Sequence, residues 1–206
     1  MSIVKLNNQG VKNATAFGSI TGLGSMTFIK KLTASSSGTL SFVDGASGVV
    51  LDNTYKEYLF TFNNIHPATD SVEFSFQVNA VGGSGYNETI TSTAFDAFHK
   101  EDNAYAGIEY DTTRDKAQGT SFQAVNAGLG NGSDESVSGT LRLFNPSSTT
   151  FVKHFMSNTN TYYTTGWSLN WRIGGYINTT SAIDEIQFKM SSGNIDAGDI
   201  CLYGIA

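Results

Sequence analysis

The chain has 206 residues and a formal net charge of −6, and only 15% of its residues are charged. Apart from the adjacent Lys30 and Lys31, its basic residues are scattered singly, so it lacks the clustered basic footprint of a nucleic-acid-binding protein. No apolar run is long enough to span a bilayer, and the first residues lack the charged segment and apolar core of a signal peptide. We therefore expect neither nucleic acid nor a membrane as a partner.

Residues 1–25 differ in composition from the rest of the chain. They are rich in Asn, Gly and Ser, and their isolated apolar residues follow neither a helical nor a strand period. This composition is too apolar for a free disordered tail, so we interpret residues 1–25 as an extended attachment arm that becomes ordered on a partner. The candidate partner-binding residues of the arm are Ile3, Val4, Leu6, Val11, Phe17 and Ile20.

From Met26 onward, apolar and polar residues alternate with the period of half-buried strands. Strands are predicted at 26–32, 39–43, 55–62, 72–78, 138–144, 149–156, 167–173, 182–190 and 200–205, with strand-like content at 89–98 and 105–110. No window keeps a helical spacing for three turns, and turn-forming residues separate the runs. The sequence therefore predicts a single domain at 26–206, an antiparallel jelly-roll or lectin-like β-sandwich.

The single cysteine, Cys201, cannot form a disulfide within the chain. Its place in the apolar final strand predicts a small core residue rather than a reactive thiol. We therefore expect synthesis in a reducing cytoplasm.

A glycine-rich loop at 128–136 and two tyrosines further along the chain are the candidate ligand contacts. The loop offers polar oxygens but lacks the full calcium-loop spacing, so turn formation explains its composition as well as ligand binding does. Exposed aromatic rings can stack on sugars, whereas Trp167 and Trp171 share one face of a strand and are predicted to lie in the core. The candidate ligand residues are Asn131, Ser133, Asp134, Glu135, Tyr162 and Tyr163.

No pattern for catalysis or for a metal site is evident. The histidines His66, His99 and His154 stand alone, without a second ligand at metal-binding spacing. The adjacent acidic pairs would face opposite ways on a strand, and no nucleophile elbow or phosphate-binding loop is found. We therefore predict a protein that is not an enzyme, with no catalytic residue, no metal and no cofactor.

Three parts of the chain resemble a recurring module in structural proteins of marine tailed phages. They are Leu51–Tyr58 with Phe62–Asp70, then Gly139–Pro146, and the ending Ser192–Ile195 through Leu202–Ile205. In that family a segment around a tyrosine opens the sandwich, and a Gly-x-Ile … Tyr-Gly ending closes it. The resemblance covers most of residues 26–206 and brings no catalytic residues with it.

The resemblance implies a non-enzymatic structural protein on the virion surface, made in the host cytoplasm. Its arm would attach it to the capsid, as a decoration protein or head fibre, or to the tail, and its partners would be other virion proteins. Self-association is expected, with a trimer as one symmetric option. Two alternatives stay open: a carbohydrate-binding receptor-recognition module of a tail fibre, contacting a host surface glycan, and a glycoside hydrolase on the same fold.

Overall fold

The computed structural model describes residues 26–163 and 165–206, which form two antiparallel sheets packed against each other. These residues contain thirteen strands and no helix, so the predicted antiparallel β-sandwich is confirmed. The strands are β1 (Met26–Thr33), β2 (Leu40–Val43), β3 (Glu57–Pro67), β4 (Phe74–Ala80), β5 (Ile90–Lys100), β6 (Ala106–Tyr110), β7 (Lys116–Gly119), β8 (Gln123–Ala124), β9 (Val137–Phe144), β10 (Lys153–Tyr163), β11 (Trp167–Ile177), β12 (Ile183–Met190) and β13 (Ile195–Ile205). The described part of the chain holds no helix long and apolar enough to cross a membrane.

The larger sheet has nine strands in the order β1-β13-β3-β9-β10-β11-β5-β6, and β7 also pairs with β5. Its centre is a long ladder in which β10, β11 and β5 pair along their whole lengths. Successive side chains of a strand point to opposite faces, and β10 is alternately buried and exposed along most of its length. One face of this sheet is therefore the inner face of the sandwich, and the other faces solvent.

The smaller sheet, with the order β2-β12-β4-β8, covers part of that inner face. Phe188 of β12 lies at the centre of the core between the two sheets. Its ring centroid is 5.5 Å from that of Phe60, 5.4 Å from that of Phe62 and 5.7 Å from that of Phe74. The phenylalanines that make the sequence rich in aromatic residues thus hold the two sheets together. Cys201 is buried, as predicted.

The turn predicted at 63–70 is wrong, because β3 continues through Pro67. Its partner β13 begins at Ile195 rather than at Ile200, and the register between the two strands shifts twice. Ile65 and Ile195 are both 0% exposed, so continued pairing buries two large apolar side chains. That burial outweighs the turn preference of the neighbouring asparagines and proline.

The strand predicted at 149–156 is also displaced, since β10 runs from Lys153 to Tyr163. Its inward-facing residues beyond Met156 include Ser157, Thr159 and Thr161, all of which are buried. Buried hydroxyl side chains do not produce an apolar alternation, so the sequence predicts the end of this strand too early. These hydroxyl groups lie on the inner face, towards the β10–β11 turn.

The loop between β8 and β9 connects the two sheets and lies at the edge of the main core. The Oδ1 atom of Asn126 accepts a hydrogen bond of 2.6 Å from the backbone N–H of Phe74, beside the smaller sheet. The hydroxyl of Thr159, in the larger sheet, donates to the backbone carbonyl of Val125. Leu129 forms isolated bridges with Val72 and Tyr163. Beyond this loop lies a second apolar cluster, separate from the main core.

Candidate functional site

The second apolar cluster lines an open cleft on the inner face of the larger sheet, near the β10–β11 turn. Its volume is about 340 Å³, within the range of small-molecule sites in proteins. The lining residues are Asp96, Phe98, Glu109, Asp111, Arg114, Ala127, Tyr163, Trp167, Leu169 and Trp171. We refer to this site as the Trp167 cleft.

Strand register brings the cleft residues together from distant parts of the chain. Trp171 of β11 lies opposite Asp96 of β5, which in turn lies opposite Glu109 of β6. Directly paired residues on neighbouring antiparallel strands point to the same face. In the adjacent row, Leu169 lies opposite Phe98. The floor of the cleft therefore has one polar row and one apolar row.

Aromatic rings form the walls of the Trp167 cleft. Trp167 and Phe98 pack edge to face, with their ring centroids 5.9 Å apart, and both are half-buried. Trp167 also stacks on Tyr105 at 5.8 Å. Trp171 is 3% exposed and belongs to the floor. The cleft therefore offers flat apolar surfaces to a ligand at a partly open site.

Gly128 fixes the position of a third aromatic wall. It has a φ of 48°, and a Cβ atom added there would lie 1.9 Å from the Cε2 atom of Tyr163. Only glycine tolerates both this backbone conformation and this approach. The loop between β8 and β9 can thus pack directly against the ring of Tyr163, which lines the cleft.

Three polar atoms among the lining residues are buried and lack a hydrogen-bond partner within the described chain. They are Oδ1 of Asp96, Nε1 of Trp171 and Nε of Arg114. Asp96 and Trp171 are each 3% exposed. Leaving a buried polar group unpaired costs about 1–3 kcal/mol. A bound ligand with suitable hydroxyl or amine groups could supply the missing partners.

Burial, together with the negative charges of Glu109 and Asp111, raises the pKa of Asp96 to about 6. Arg114 opposes this effect only in part. Its guanidinium forms ion pairs of 2.7 Å with Asp111 and 3.0 Å with Glu73, and it lies 5.3 Å from the ring centroid of Trp171. Asp96 therefore lies in a locally negative, poorly hydrated environment.

The raised pKa predicts a pH-dependent stability effect of Asp96→Asn. The carboxyl titrates near 3.8 when unfolded and near 6 when folded, so the folded state holds the proton more tightly. Ionisation of Asp96 therefore destabilises the native state as pH rises from about 4 to 7. We compare the free energy of unfolding of Asp96→Asn with that of the wild type at each pH. We expect this difference to shift in favour of the variant by up to about 2 kcal/mol between pH 4 and pH 7.5.

Urea unfolding of both proteins at the two pH values measures this difference. Comparing the two pH values removes any constant effect of replacing the carboxyl by an amide. The exposed Asp70 provides the control, because Asp70→Asn should show no such pH-dependent gain. An equal effect of Asp96→Asn at both pH values would contradict the prediction.

The two carboxylates on the cleft floor, those of Asp96 and Glu109, lie side by side. Glycosidases place two carboxyl groups on either side of the scissile bond, about 5–9.5 Å apart. Asp96 and Glu109 are direct neighbours on adjacent strands and point the same way, so they do not face each other across the cleft. That the protein is not an enzyme stays a prediction.

Three of the four candidate ligand residues predicted in the 128–136 loop line a second, separate depression. Ser133, Asp134 and Glu135 line it together with His66, and its volume is about 480 Å³. Glu135 accepts a hydrogen bond of 2.6 Å from the backbone N–H of Gly132. The carbonyl of Gly132 lies 3.0 Å from Nε2 of His66. Much of this polar chemistry therefore supports the loop itself.

The structure does not bring all six predicted ligand residues together. Asn131 donates a hydrogen bond of 3.3 Å to the carbonyl of Ala68 rather than lining the second depression. Tyr163 lines the Trp167 cleft, while its neighbour Tyr162 falls on the opposite face of β10. Trp171 is buried as predicted, but Trp167 is half-buried at the cleft. A ligand-binding role for these six residues stays a prediction.

The predicted arm residues Ile3, Val4, Leu6, Val11, Phe17 and Ile20 lie outside the described part of the chain. Within the described residues, no three His, Cys, Asp or Glu side chains are grouped so that they could hold a metal ion.

Comparison with models of known protein families and with curated protein sequences gives no match for this chain. The resemblance to phage virion proteins therefore stays a prediction.

Proposed function

We propose that this protein binds carbohydrate in the Trp167 cleft. The observation that carries the proposal is that one open cleft combines aromatic walls with two buried polar atoms that lack a hydrogen-bond partner. The polar atoms are Oδ1 of Asp96, an acceptor when ionised, and Nε1 of Trp171, a donor. Both residues line the cleft beside Phe98, Tyr163 and Trp167.

A sugar matches both parts of this site. One face of a pyranose ring presents C–H groups, which pack on an aromatic ring, and the ring edge carries hydroxyls that both donate and accept hydrogen bonds. A hydroxyl can donate to Asp96, and a hydroxyl or ring oxygen can accept from Trp171. The half-buried Trp167 is suited to the stacking contact, since part of its surface is free to meet a ligand.

Sugar binding fits the alternative role of receptor recognition on a phage particle, where the particle itself is what the sequence resemblance suggests. In that role the sandwich would present the cleft to a glycan on the host surface. The predicted attachment arm would hold the protein to other virion proteins. This placement rests on the resemblance alone, whereas sugar binding rests on the cleft.

A glycan array probed with the full chain tests the proposal, followed by titration of each hit. The chain has two tryptophans, and both line the cleft, so intrinsic fluorescence reports directly on this site. For a disaccharide of about 23 non-hydrogen atoms, an upper bound of about 0.3 kcal/mol per atom predicts a Kd no lower than about 10 μM.

A variant of the second depression, Asp134→Ala, serves as the control and should bind every hit with unchanged affinity. Hits that leave the fluorescence unchanged and are lost in Asp134→Ala would place binding in the second depression. That result, or an array without hits, would overturn the proposal.

A further inference from the structure

The Trp167 cleft carries an excess of negative charge. Its lining contains three carboxylates, those of Asp96, Glu109 and Asp111, and one guanidinium, that of Arg114. Arg114 already forms ion pairs with Asp111 and Glu73. Two of the three carboxylates, those of Asp96 and Glu109, therefore form no ion pair within the described residues.

Lys100, which lies beside Trp167, does not supply a counter-charge to these carboxylates. Lys100 lies opposite Trp167 in the register, with its Nζ atom 5.8 Å from the centroid of that ring. The same Nζ atom forms a 2.6 Å ion pair with Asp102. Within residues 26–163 and 165–206, no ion pair reaches Asp96 or Glu109, and Oδ1 of Asp96 has no hydrogen-bond partner.

Asp96 differs from an ordinary member of an acidic cluster, because it is buried and one of its oxygen atoms lacks a hydrogen-bond partner. It is 97% buried, since only 3% of its surface is exposed, and its Oδ1 atom has no partner. It lines the cleft on the same row as Glu109, so the two side chains leave the sheet side by side. Neighbouring like charges repel each other, and a cation placed above both would relieve that repulsion.

We infer that the ligand of the Trp167 cleft is a saccharide bearing a free cationic amine, such as an oligomer of glucosamine. This inference rests on the proposed carbohydrate-binding function and specifies its ligand class. The ammonium group would donate its hydrogen bonds to Asp96 and Glu109. The sugar ring would stack on Trp167, and the aromatic walls would add cation–π attraction to the ammonium. Sugars with a carboxylate would be repelled by the same two residues.

The test compares three oligosaccharides that share a β-1,4-linked backbone and differ at one substituent. Glucosamine hexamer carries an ammonium, N-acetylglucosamine hexamer carries a neutral acetamide, and cellohexaose carries a hydroxyl. Affinities are measured by calorimetry on the full chain at pH 6.5 and physiological salt, where long-range attraction to the net negative protein is screened. We expect the glucosamine hexamer to bind at least 10-fold more tightly than either neutral hexamer.

The variant Glu109→Gln removes one carboxylate from an exposed position, so it should fold normally. In this variant we expect the preference for the amine to fall below 3-fold. The matched control Asp70→Asn changes the net charge equally, away from the cleft, and should keep the full preference. Tetralysine, a cation without sugar rings, should not bind.

Each other outcome overturns the inference. Equal affinity for the three hexamers, or an amine preference that survives in Glu109→Gln, would show that the two carboxylates do not select the ligand. Tight binding of tetralysine would assign the cleft to a basic peptide. If none of the hexamers binds while another saccharide does, the ligand class is wrong and sugar binding stands. If no saccharide binds at all, the proposed function fails with it.

Discussion

Replacing Phe188 by alanine is expected to lower the free energy of unfolding by about 3–5 kcal/mol. The ring of Phe188 is fully buried and lies within 6.5 Å of five other phenylalanine rings, in three different strands. Removing it deletes buried apolar surface and leaves a cavity between the two sheets. Neighbouring rings on relatively rigid strands can fill that cavity only in part, so the cavity adds to the lost burial.

Urea unfolding followed by circular dichroism measures this loss. Phe151→Ala provides the matched control, because its ring is 69% exposed and its removal should change stability by less than about 0.5 kcal/mol. Small domains are stable by only about 5–15 kcal/mol, so Phe188→Ala should remain folded but be much more sensitive to urea. A loss below about 1 kcal/mol would show that Phe188 does not anchor the contact between the sheets.

The core of the sandwich could be predicted because its inward residues are large and apolar. In β4 and β12 the buried positions hold Phe74, Phe76, Phe188 and Met190, and the alternation with polar residues is clear in the sequence. An alternating strand can bury one face only against another layer, so many such runs indicate a sandwich. The architecture follows from patterns that extend over fewer than ten residues each.

The prediction fails where burial does not involve large apolar side chains or where strand pairing overrides a turn signal. The strand predicted from the sequence ends at Met156, because the buried positions that follow are Ser157, Thr159 and Thr161. Hydroxyl side chains look like surface residues in a sequence, although Ser157 and Thr159 satisfy their hydroxyls on nearby backbone carbonyls.

The Trp167 cleft could not be predicted as a site, although one signal for it was present. Asp96 falls on the apolar face of a predicted strand, between Ala94 and Phe98, where a carboxylate is out of place. Its relation to Glu109 and Trp171 depends on the register between β6, β5 and β11. Register is a property of the assembled sheet, and a slip of one residue would turn each of these side chains to the other face.

Trp167→Ala is expected to weaken sugar binding by at least 30-fold, which corresponds to about 2 kcal/mol. The indole of Trp167 is the largest half-buried ring in the cleft, so its removal takes away the main stacking surface for a sugar. Trp167→Phe should recover most of the affinity, because a smaller flat ring remains at the same place. Since each variant removes a fluorophore, the affinities are measured by calorimetry.

A second substitution separates stacking from hydrogen bonding at the cleft floor. Trp171→Phe keeps an aromatic ring in the buried site but removes the Nε1 donor, which has no partner in the protein. If a sugar oxygen accepts from that donor, affinity should fall about 10-fold, as expected for one buried hydrogen bond. Because the Nε1 donor is unpaired in the free protein, its removal should cost no stability there. Any loss of stability in Trp171→Phe should come only from the smaller ring. Tyr162→Ala, on the opposite face of β10, should change neither quantity. Full affinity in both Trp167→Ala and Trp171→Phe would place the sugar site elsewhere on the molecule.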